Sequence, residues 1–350
     1  MKNLLFALMF ALVGCTATED KGSTLLIGTY TDAGSRGIYR TTFSDEGFST
    51  PELVVEVDNP SFLALSDDGD YLYAVSEGGT DATSALNAYR YDATTDSFSL
   101  INRQPTHGAS PCYVRLFDGY AYTANYTGGS FSAFPIDEDG ALGEATECEF
   151  EPREGSASHV HGLFEAPNGK SLYVTDLGRS EIFQIASPTE ELSRYSLAMG
   201  SGPRHMAFSK DGAQAYALNE LKGTVCVFDI GEEGLSLKQE IASDSVGGGG
   251  CADIHLSDDG RFLYASNRLK EDGISTFKVA KDGTLEKIFY TRTGRHPRNF
   301  TLSLDERYLL VAVRDDNSIE VYSRNSETGE LIFTGKKLEL SHPVCLKWIE

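Results

Sequence analysis

The residue types best suited to chemistry fall in short motifs spread along the chain. His159 and His161 lie in HVHG, Arg204 and His205 in GPRH, and Glu220 in NEL, sixteen residues after the arginine. A carboxylate can act as a general base, an imidazole can shuttle a proton, and a guanidinium fork binds carboxylate or phosphate. These motifs therefore suggest a site for a small molecule that carries a negative charge or develops one.

Each of these candidates also has a purely structural interpretation. Arg204 and Glu220 could form an ion pair between neighbouring strands without touching a ligand. His159 and His161, spaced by two, could face the same side of a strand and bind a metal, but no third ligand has an obvious place. His255 lies inside the apolar run ADIHLS and is predicted to be a packed core histidine. We therefore expect no metal site and no cofactor.

Several other chemical motifs are missing or stand in the wrong place. The sequence contains no Gly-x-Ser-x-Gly, so a serine-nucleophile esterase lacks its main signature. The run VGGGG precedes Cys251 rather than a helix, which favours a flexible loop over a phosphate cradle. Five cysteines follow Cys15, none of them in a CxxC pair, so a structural zinc site is not expected. They are interpreted as small buried hydrophobes, and their odd number leaves at least one thiol free.

A repeat that accounts for most of the chain must position these candidates. Six segments share an apolar alternating run, a tight turn, a second alternating run rich in tyrosine and a polar end. Asp-Gly or Asn-Gly between two alternating runs predicts a β-hairpin, because glycine tolerates positive φ. The turn residues are Gly69, Gly119, Gly169, Gly212, Gly260 and, in the equivalent place, Glu306.

The pieces at the two ends of the chain complete this repeat. About four β-like segments per repeat are typical of a propeller blade. The final HPVCLKWIE matches only the first strand of a repeat, whereas STLLIGTYT and GIYRTTFS near the start match the later strands. Joined, they would close the ring and leave no open sheet edge. The sequence thus predicts an all-β fold: a seven-bladed β-propeller with a split closing blade made from both termini, forming a single domain over residues 23–350.

The repeat also predicts where the candidate side chains meet. Counting eight residues to either side of the turn pairs Arg204 with Glu220. The same count brings Arg268 and Arg298 to the corresponding ends of their own hairpins. Because the first strand of a blade lines the central channel, these ends should cluster on one rim, whereas the opposite end carries only turn residues. Several arginines on one rim favour an anion-binding site.

The overall charge excludes two classes of partner. Thirty lysines and arginines against 52 aspartates and glutamates give a formal charge of −22. That charge argues against a nucleic-acid partner, whose binding needs clustered cations, and against direct binding to an anionic membrane surface. Hydrophobic residues at 40% and aromatic residues at 11% are sufficient for a sizeable core, so global disorder is excluded.

The N-terminus predicts export. Met1-Lys2-Asn3 is a short positive start, and the apolar residues 4–13 that follow are too few to span a bilayer but fit a signal sequence. The run ends in LVGC, which looks like a bacterial lipobox with Cys15 as the lipidated residue. We predict a signal peptide at 1–15, a polar tether at 16–22, and a membrane-anchored lipoprotein on the periplasmic or outer-membrane side. The alternative is a plain secretory signal in which Cys15 is incidental.

The motifs GPRHMAF, YALNEL, LYASNR, PRNFTLS, ANYTGGS and HVHG resemble those of the seven-bladed lactonase family. That family includes the propeller-type bacterial 6-phosphogluconolactonase and the fungal carboxymuconate cyclase. The resemblance extends over nearly the whole predicted mature chain, from IGTYT to the final HPVCLKWI. Before its His-x-His the family usually shows Arg-Gln and Pro-His, whereas this chain has REGSASHVH, so contacts made by that segment should differ.

The resemblance implies active-site roles for His161, Arg204, Glu220 and Arg268. We predict a lactonase that hydrolyses a sugar-acid lactone at the channel mouth, similar to 6-phosphogluconolactonase. Glu220 is the predicted general base, His161 the proton shuttle or second hydrogen-bond donor, and Arg204 the oxyanion stabiliser. The predicted substrate-binding residues are Arg268, Arg298, His159, His205, Asn125 and Tyr126.

The expected partner is a small-molecule lactone with a carboxylate or phosphate group, and the membrane is contacted only through the lipid anchor. Two alternatives remain open. One is a non-catalytic exported propeller that binds an acidic sugar or a protein partner. The other is a muconate-type cycloisomerase that uses the same residues in the opposite direction. Arg204 beside Glu220 should also lower the pKa of the carboxyl group and make it a poorer base.

Overall fold

The computed structural model describes residues 22–151, 153–244 and 246–349. The predicted signal peptide, its lipobox residue Cys15 and residues 16–21 of the tether lie outside the described residues. The described chain forms seven antiparallel sheets, six of four strands and one of five. It contains no helix long and apolar enough to cross a membrane.

The strands follow one another with short connections. In chain order they are β1 (Ser23–Thr29), β2 (Gly37–Ser44), β3 (Gly47–Phe48), β4 (Glu52–Glu56), β5 (Leu63–Leu65), β6 (Tyr71–Ser76), β7 (Ala85–Asp92), β8 (Ser97–Pro105), β9 (Pro111–Phe117), β10 (Tyr120–Asn125), β11 (Ser130–Pro135), β12 (Thr146–Cys148), β13 (Val160–Glu165), β14 (Leu172–Asp176), β15 (Glu181–Ser187), β16 (Glu190–Ser196), β17 (Pro203–Phe208), β18 (Gln214–Asn219), β19 (Thr224–Gly231), β20 (Gly234–Ala242), β21 (Cys251–Leu256), β22 (Phe262–Asn267), β23 (Gly273–Val279), β24 (Leu285–Arg292), β25 (Pro297–Leu302), β26 (Tyr308–Val313), β27 (Ser318–Arg324), β28 (Leu331–Glu339) and β29 (Pro343–Ile349). One 3-10 turn, Arg314–Asp316, follows β26.

Six blades are consecutive groups of four strands, and the seventh joins the two ends of the chain. In that blade the order is β29-β1-β2-β3, with β4 also paired to β2. Thr24 lies opposite Ile349 and Ile27 opposite Leu346. Contacts between β29 and both β25 and β5 complete the ring of innermost strands. The predicted seven-bladed propeller with a split closing blade is therefore confirmed.

The hairpin turns adopt the backbone conformation that their sequence predicts. Gly212 and Gly260 have φ values of 71° and 69°, in the left-handed region that glycine enters without strain. Glu306 occupies the equivalent place with φ 54° although it has a side chain. Its carboxylate accepts the Asp258 backbone N–H at 2.7 Å and lies 3.4 Å from Arg324 Nη1. These contacts help to offset the strain of a left-handed glutamate.

The tyrosines of the second strands tie neighbouring blades together. Tyr73 donates from its hydroxyl to Gly140 O at 3.0 Å, and Tyr264 donates to Gly329 O at 3.2 Å. Each acceptor lies in the next blade, while the rings are buried in hydrophobic clusters. A tyrosine can supply apolar area and one hydrogen bond at the same time, which explains the tyrosine-rich second runs.

The cysteines behave as small core residues. All five cysteines of the described chain are free thiols. Four of them are buried, and Cys148 is half-buried. Burial raises the pKa of the Cys112 thiol to about 12, which keeps it protonated and unreactive at neutral pH.

Candidate active site

All innermost strands run in the same sense, so the channel has two distinct mouths. We call the end where these strands begin the N-terminal mouth and the other end the C-terminal mouth. In several blades a residue with positive φ precedes the innermost strand, for example Gly202, Gly250 and His296. A β-bulge follows at once in five of the six consecutive blades and in the closing blade. This backbone irregularity shapes the N-terminal mouth.

Three predicted site residues are the extra residue of such a bulge. His161 falls between Val160 and Gly162, and Arg204 and Arg298 occupy the same position in β17 and β25. A bulge frees its extra residue from the pleat and re-aims the side chain. Pairing by simple counting is therefore wrong in detail: Arg204 has no residue opposite it on β18, although its side chain still meets Glu220.

Glu220 is the centre of this cluster. One carboxylate oxygen lies 2.8 Å from Arg204 Nε, and the other lies 3.0 Å from Arg268 Nη2. The Glu220 side chain is 21% exposed, whereas both arginines are almost completely buried. Burial raises the pKa of Glu220, but Arg268, Arg204 and Arg298 together outweigh it and hold the pKa below its ordinary value. The carboxylate is thus ionised and reachable from the channel.

Arg204 keeps donors free in the mouth. Its Nη1 donates to Ala252 O and to His205 Nε2, the latter at 3.2 Å. The contact of Nε with Glu220 meets the distance of a hydrogen bond but not its angle, so it is an attraction between charges. Among the described residues Nη2 has no hydrogen-bond acceptor. A guanidinium with unused N–H groups is suited to bind an oxyanion.

Arg268 is more fully engaged than Arg204. Its Nε donates to Gly250 O at 2.8 Å, its Nη2 donates to Cys251 O at 3.3 Å, and its Nη1 lies 3.2 Å from His296 Nε2. Burial lowers the pKa of Arg268 to about 10, although Glu220 acts in the opposite direction. This arginine therefore holds Glu220 and the strand entrance together. His296 was not singled out from the sequence. Its motif HPR nevertheless matches GPR at the start of the innermost strand two blades earlier.

Arg298 stands over an aromatic ring at the same mouth. Its guanidinium carbon is 5.4 Å from the centre of the Tyr30 ring, and the Tyr30 hydroxyl donates to Glu77 Oε2 at 3.0 Å. Burial lowers the pKa of Arg298, but Tyr30 and Glu77 outweigh it and raise the pKa overall. Within the described chain the Arg298 guanidinium makes no hydrogen bond, so its planar fork is free for an anionic ligand.

The two histidines of HVHG share one tyrosine neighbour. The His159 ring stacks on Tyr126 at 4.7 Å, and its Nδ1 lies 2.9 Å from Tyr126 O. The His161 ring meets Tyr126 edge-on at 5.6 Å and is almost fully buried. Nδ1 of His161 has no hydrogen-bond partner in the described residues. Burial, followed by Arg204, lowers the pKa of His161 well below its ordinary value, so the ring is neutral.

Asn125 and His205 are both buried and take their partners from inside the protein. The Asn125 amide is completely buried and donates to Ser130 Oγ and Ser132 Oγ at 3.0 and 2.8 Å, within its own blade. His205 follows the bulge and lies inside the channel beneath Arg204. Its Nδ1 is 2.8 Å from Asp253 Oδ1, so Asp253 of the next blade is a buried partner of this histidine.

The glycine run is a tied loop rather than a flexible one. Backbone N–H groups of Gly248 and Gly249 donate to one oxygen of the Asp244 carboxylate at 2.7 and 3.0 Å, and Val246 donates to the other at 2.9 Å. Gly250 N donates to Glu220 O at 2.7 Å. A Cβ on Gly249 would lie 3.2 Å from Glu220 O, so a side chain would crowd the backbone that carries Glu220.

Ionisable groups are present at the C-terminal mouth as well. A cavity of about 530 Å³ there is lined by Arg115, Glu165, His255 and Lys347, among others. His255 is partly exposed in it, with Nε2 3.1 Å from Asp253 Oδ2, so the prediction of a packed core histidine is wrong. In the part of the chain that the structure describes, no group of three or more His, Cys, Asp or Glu side chains is arranged to hold a metal ion.

The fold and this cluster define a class of protein. A model of the family described as "Lactonase, 7-bladed beta-propeller" matches residues 24–348. The match covers nearly the whole described chain and includes every residue of the cluster. The chain belongs to the seven-bladed β-propeller lactonase family.

Individual members of that family extend the likeness along the full propeller. A 6-phosphogluconolactonase of Formosa agariphila is 33% identical over 88% of this chain and 94% of its own. The crystal structure of a putative 6-phosphogluconolactonase from Bacteroides fragilis has a TM-score of 0.89 at 42% identity, covering 95% of this chain and 99% of its own. The structure of the periplasmic gluconolactonase of Pseudomonas aeruginosa has a TM-score of 0.87 at 30% identity, covering 94% of this chain and 99% of its own.

Proposed function

We propose that this protein hydrolyses a sugar-acid lactone at the N-terminal mouth of its propeller. The observation that carries the proposal is the Glu220 carboxylate, which is partly exposed in the mouth and held between the buried Arg204 and Arg268. Relatives named 6-phosphogluconolactonase and gluconolactonase support the same reaction class. The substrate is a ring ester that also carries an anionic group, for which the mouth offers a further arginine.

The cluster supplies the groups that ester hydrolysis requires. A water hydrogen-bonded to Glu220 attacks the lactone carbonyl carbon, its proton passes to the carboxylate, and a tetrahedral oxyanion forms. Free N–H groups of Arg204 stabilise that oxyanion. Collapse breaks the ring C–O bond, and the proton held by Glu220 returns to the leaving alkoxide. The product is a hydroxy acid, whose carboxyl group then releases one proton to solvent.

The two neighbouring arginines weaken Glu220 as a base but also favour the transition state. Arg204 and Arg268 lower the pKa of the carboxyl group, so it holds a proton less tightly than a free glutamate. As the proton moves onto Glu220, negative charge appears on the oxyanion beside Arg204. The arginines therefore face a negative charge throughout the step. Their attraction to the oxyanion partly offsets the free energy lost when Glu220 is neutralised.

His161 and Arg298 would orient the substrate. The unpartnered Nδ1 of the buried His161 ring can accept or donate one hydrogen bond, which fits a role as second donor or proton shuttle. Arg298, stacked on Tyr30 with its fork unused, would bind the carboxylate or phosphate of the substrate. His159 and Tyr126 form a stacked wall next to His161 and would limit where the sugar ring lies.

An assay against a panel of aldonolactones, each with and without a phosphate group, tests the proposal. We expect proton release that depends on the protein and is saturable for at least one member of the panel. Preference for the phosphorylated member would identify a 6-phosphogluconolactonase. Tight binding without turnover across the panel would instead indicate a binding platform, and ring closure of a muconate with no lactone hydrolysis would indicate a cycloisomerase.

We further propose that the protein is exported and tethered through a lipid on Cys15. The lipobox-like LVGC supports this location, and one related structure is named a periplasmic gluconolactonase. A phosphate-free lactone fits an exported enzyme better, because phosphorylated sugars are normally cytoplasmic metabolites. The substrate preference found with the lactone panel therefore also bears on the location of the protein. A strong preference for a phosphorylated substrate would argue against export.

A further inference from the structure

A chain of polar contacts runs from Glu220 into the channel, away from the mouth. Arg204 Nη1 lies 3.2 Å from His205 Nε2, and His205 Nδ1 lies 2.8 Å from Asp253 Oδ1. Arg204, His205 and Asp253 are all at least nine-tenths buried. The chain links the residue predicted to stabilise the oxyanion to a carboxylate that lies behind it.

The partners of His205 determine which of its nitrogens carries the hydrogen. An arginine can only donate hydrogen bonds, and an ionised carboxylate can only accept them. Nδ1 must therefore carry the hydrogen toward Asp253, and Nε2 must accept from Arg204. Burial, followed by Arg204, lowers the pKa of His205 to about 4, so the ring is neutral at neutral pH and keeps its Nε2 lone pair.

Asp253 is itself held in one orientation. The Ile254 backbone N–H donates to Oδ1 at 3.0 Å, while the Asn299 side-chain amide and Phe300 N–H donate to Oδ2, the latter at 3.3 Å. Nε2 of His255 lies 3.1 Å from the same Oδ2. Burial opposes ionisation, but His255 and His205 hold the pKa of Asp253 well below its ordinary value.

Aromatic side chains close the space around the His205 ring. The ring centres of Phe62, Tyr113 and Phe164 lie 6.1, 5.4 and 5.7 Å away. The His205 side chain is only 6% exposed, although it also lines the cavity at the C-terminal mouth. The imidazole is thus a closely packed acceptor between the Asp253 carboxylate and the Arg204 guanidinium.

We propose that Asp253 and His205 are positioning residues that set the orientation of the Arg204 guanidinium toward Glu220 and the substrate. The proposal rests on the lactonase function proposed above. Ala252 O is the other acceptor for Arg204 Nη1, so without His205 only this carbonyl and the Glu220 carboxylate would hold the guanidinium. With both acceptors in place, Nε is directed to the Glu220 carboxylate. A positioned cation is more effective than a mobile one because its orientation is fixed before the reaction.

Two substitutions at one position separate the two hydrogen bonds of His205. The amide nitrogen of Asn in His205→Asn can replace Nδ1 and keep the bond to Asp253, but residue 205 then offers Arg204 no side-chain acceptor. The longer amide in His205→Gln can place an oxygen where Nε2 was and restore that acceptor. We expect His205→Asn to lower kcat by roughly 10- to 100-fold with a much smaller change in KM, and His205→Gln to recover much of the loss. His255→Asn changes another partner of Asp253 and should leave kcat within about twofold of wild type.

A spectroscopic measurement on the ligand-free protein makes the proposal independent of turnover. Imidazole ¹⁵N shifts of the wild type should show neutral His205 with its hydrogen on Nδ1. The Arg204 guanidinium N–H signals should exchange slowly in the wild type and quickly in His205→Asn. A hydrogen on Nε2, unchanged Arg204 exchange in His205→Asn, or unchanged kcat in that variant would overturn the proposal. If His205→Asn does not fold, the position of the hydrogen on wild-type His205 and the kcat of His205→Gln still test the proposal. Absence of any lactone turnover with the expected tautomer and exchange would refute the proposed function but not the positioning.

Discussion

At the scale of single residues, the site depends on opposing effects on the pKa of the Glu220 carboxyl group. Burial of a carboxylate disfavours its charge, while Arg204 and Arg268 at 2.8 and 3.0 Å favour it. The arginines prevail, so the pKa of Glu220 lies below its ordinary value of 4.5. A purely structural ion pair would show the same two distances. What favours chemistry is the exposure of the carboxylate to the channel and the unused donors of Arg204 and Arg298.

The acid limb of the pH–rate profile tests the state of Glu220. Because its pKa is lowered, the carboxylate stays ionised as the pH falls through 4.5, and activity should decline only below that value. Arg268→Gln removes one of the cations that lower the pKa, so its acid limb should move to higher pH. The measurement is kcat/KM against pH for both proteins. A wild-type limb with a midpoint at about 6 to 7 would point to a histidine with an ordinary pKa instead.

At the scale of strands and turns, period-two patterning and Asp-Gly turns were sufficient to predict the blades. They could not predict the bulges, because one extra residue at the start of β13, β17 or β25 leaves no mark on composition or periodicity. Residue counting therefore brought Arg204 near Glu220 but missed that His205 lies in the channel interior. His296, and the contact of Asp253 with His205, were missed for a related reason: each joins neighbouring blades, whose relative position no single repeat encodes.

Two glycines provide a matched test of the turn conformation. Gly260 has φ 69° and Gly79 does not lie in the left-handed region, while a Cβ at either would meet no atom within 4 Å. Gly260→Ala should therefore destabilise the fold by about 1–2 kcal/mol through backbone strain alone. Gly79→Ala should be neutral or slightly stabilising, because it only restricts the unfolded chain. Midpoints of urea unfolding measure both, and equal midpoints would contradict the assigned turn geometry.

At the scale of the whole molecule, ring closure separates the site from the chain's point of entry. The chain enters the propeller at Ser23, and Thr24 lies opposite Ile349 at the C-terminal end of β29. Thr29, at the other end of β1, pairs with Pro343 and leads to Tyr30 in the N-terminal mouth. The candidate site therefore lies on the face opposite the residue to which the tether would connect. A lipid anchor at Cys15 would leave the site facing away from the membrane.

The location of the protein can be tested with one substitution. A formal charge of −22 repels anionic headgroups, so membrane association would depend on acyl chains, each buried methylene contributing about 0.8 kcal/mol. Cys15→Ala should move the protein out of the membrane fraction and leave the activity of the purified propeller unchanged. Fractionation followed by the lactone assay measures both. Equal amounts of wild type and variant in the soluble fraction would show that no lipid is attached.

The most direct test of lactone hydrolysis at the N-terminal mouth is kcat of Glu220→Gln beside wild type on the best lactone of the panel. The substitution keeps the shape of the side chain but removes the base, so kcat should fall by roughly 10²-fold or more. Glu165→Gln is the matched control, since Glu165 pairs with Arg115 at the C-terminal mouth, and it should retain wild-type kcat. Circular dichroism and the thermal midpoint should show that both variants are folded. Wild-type kcat in folded Glu220→Gln would contradict the role of Glu220 and the mechanism built on it.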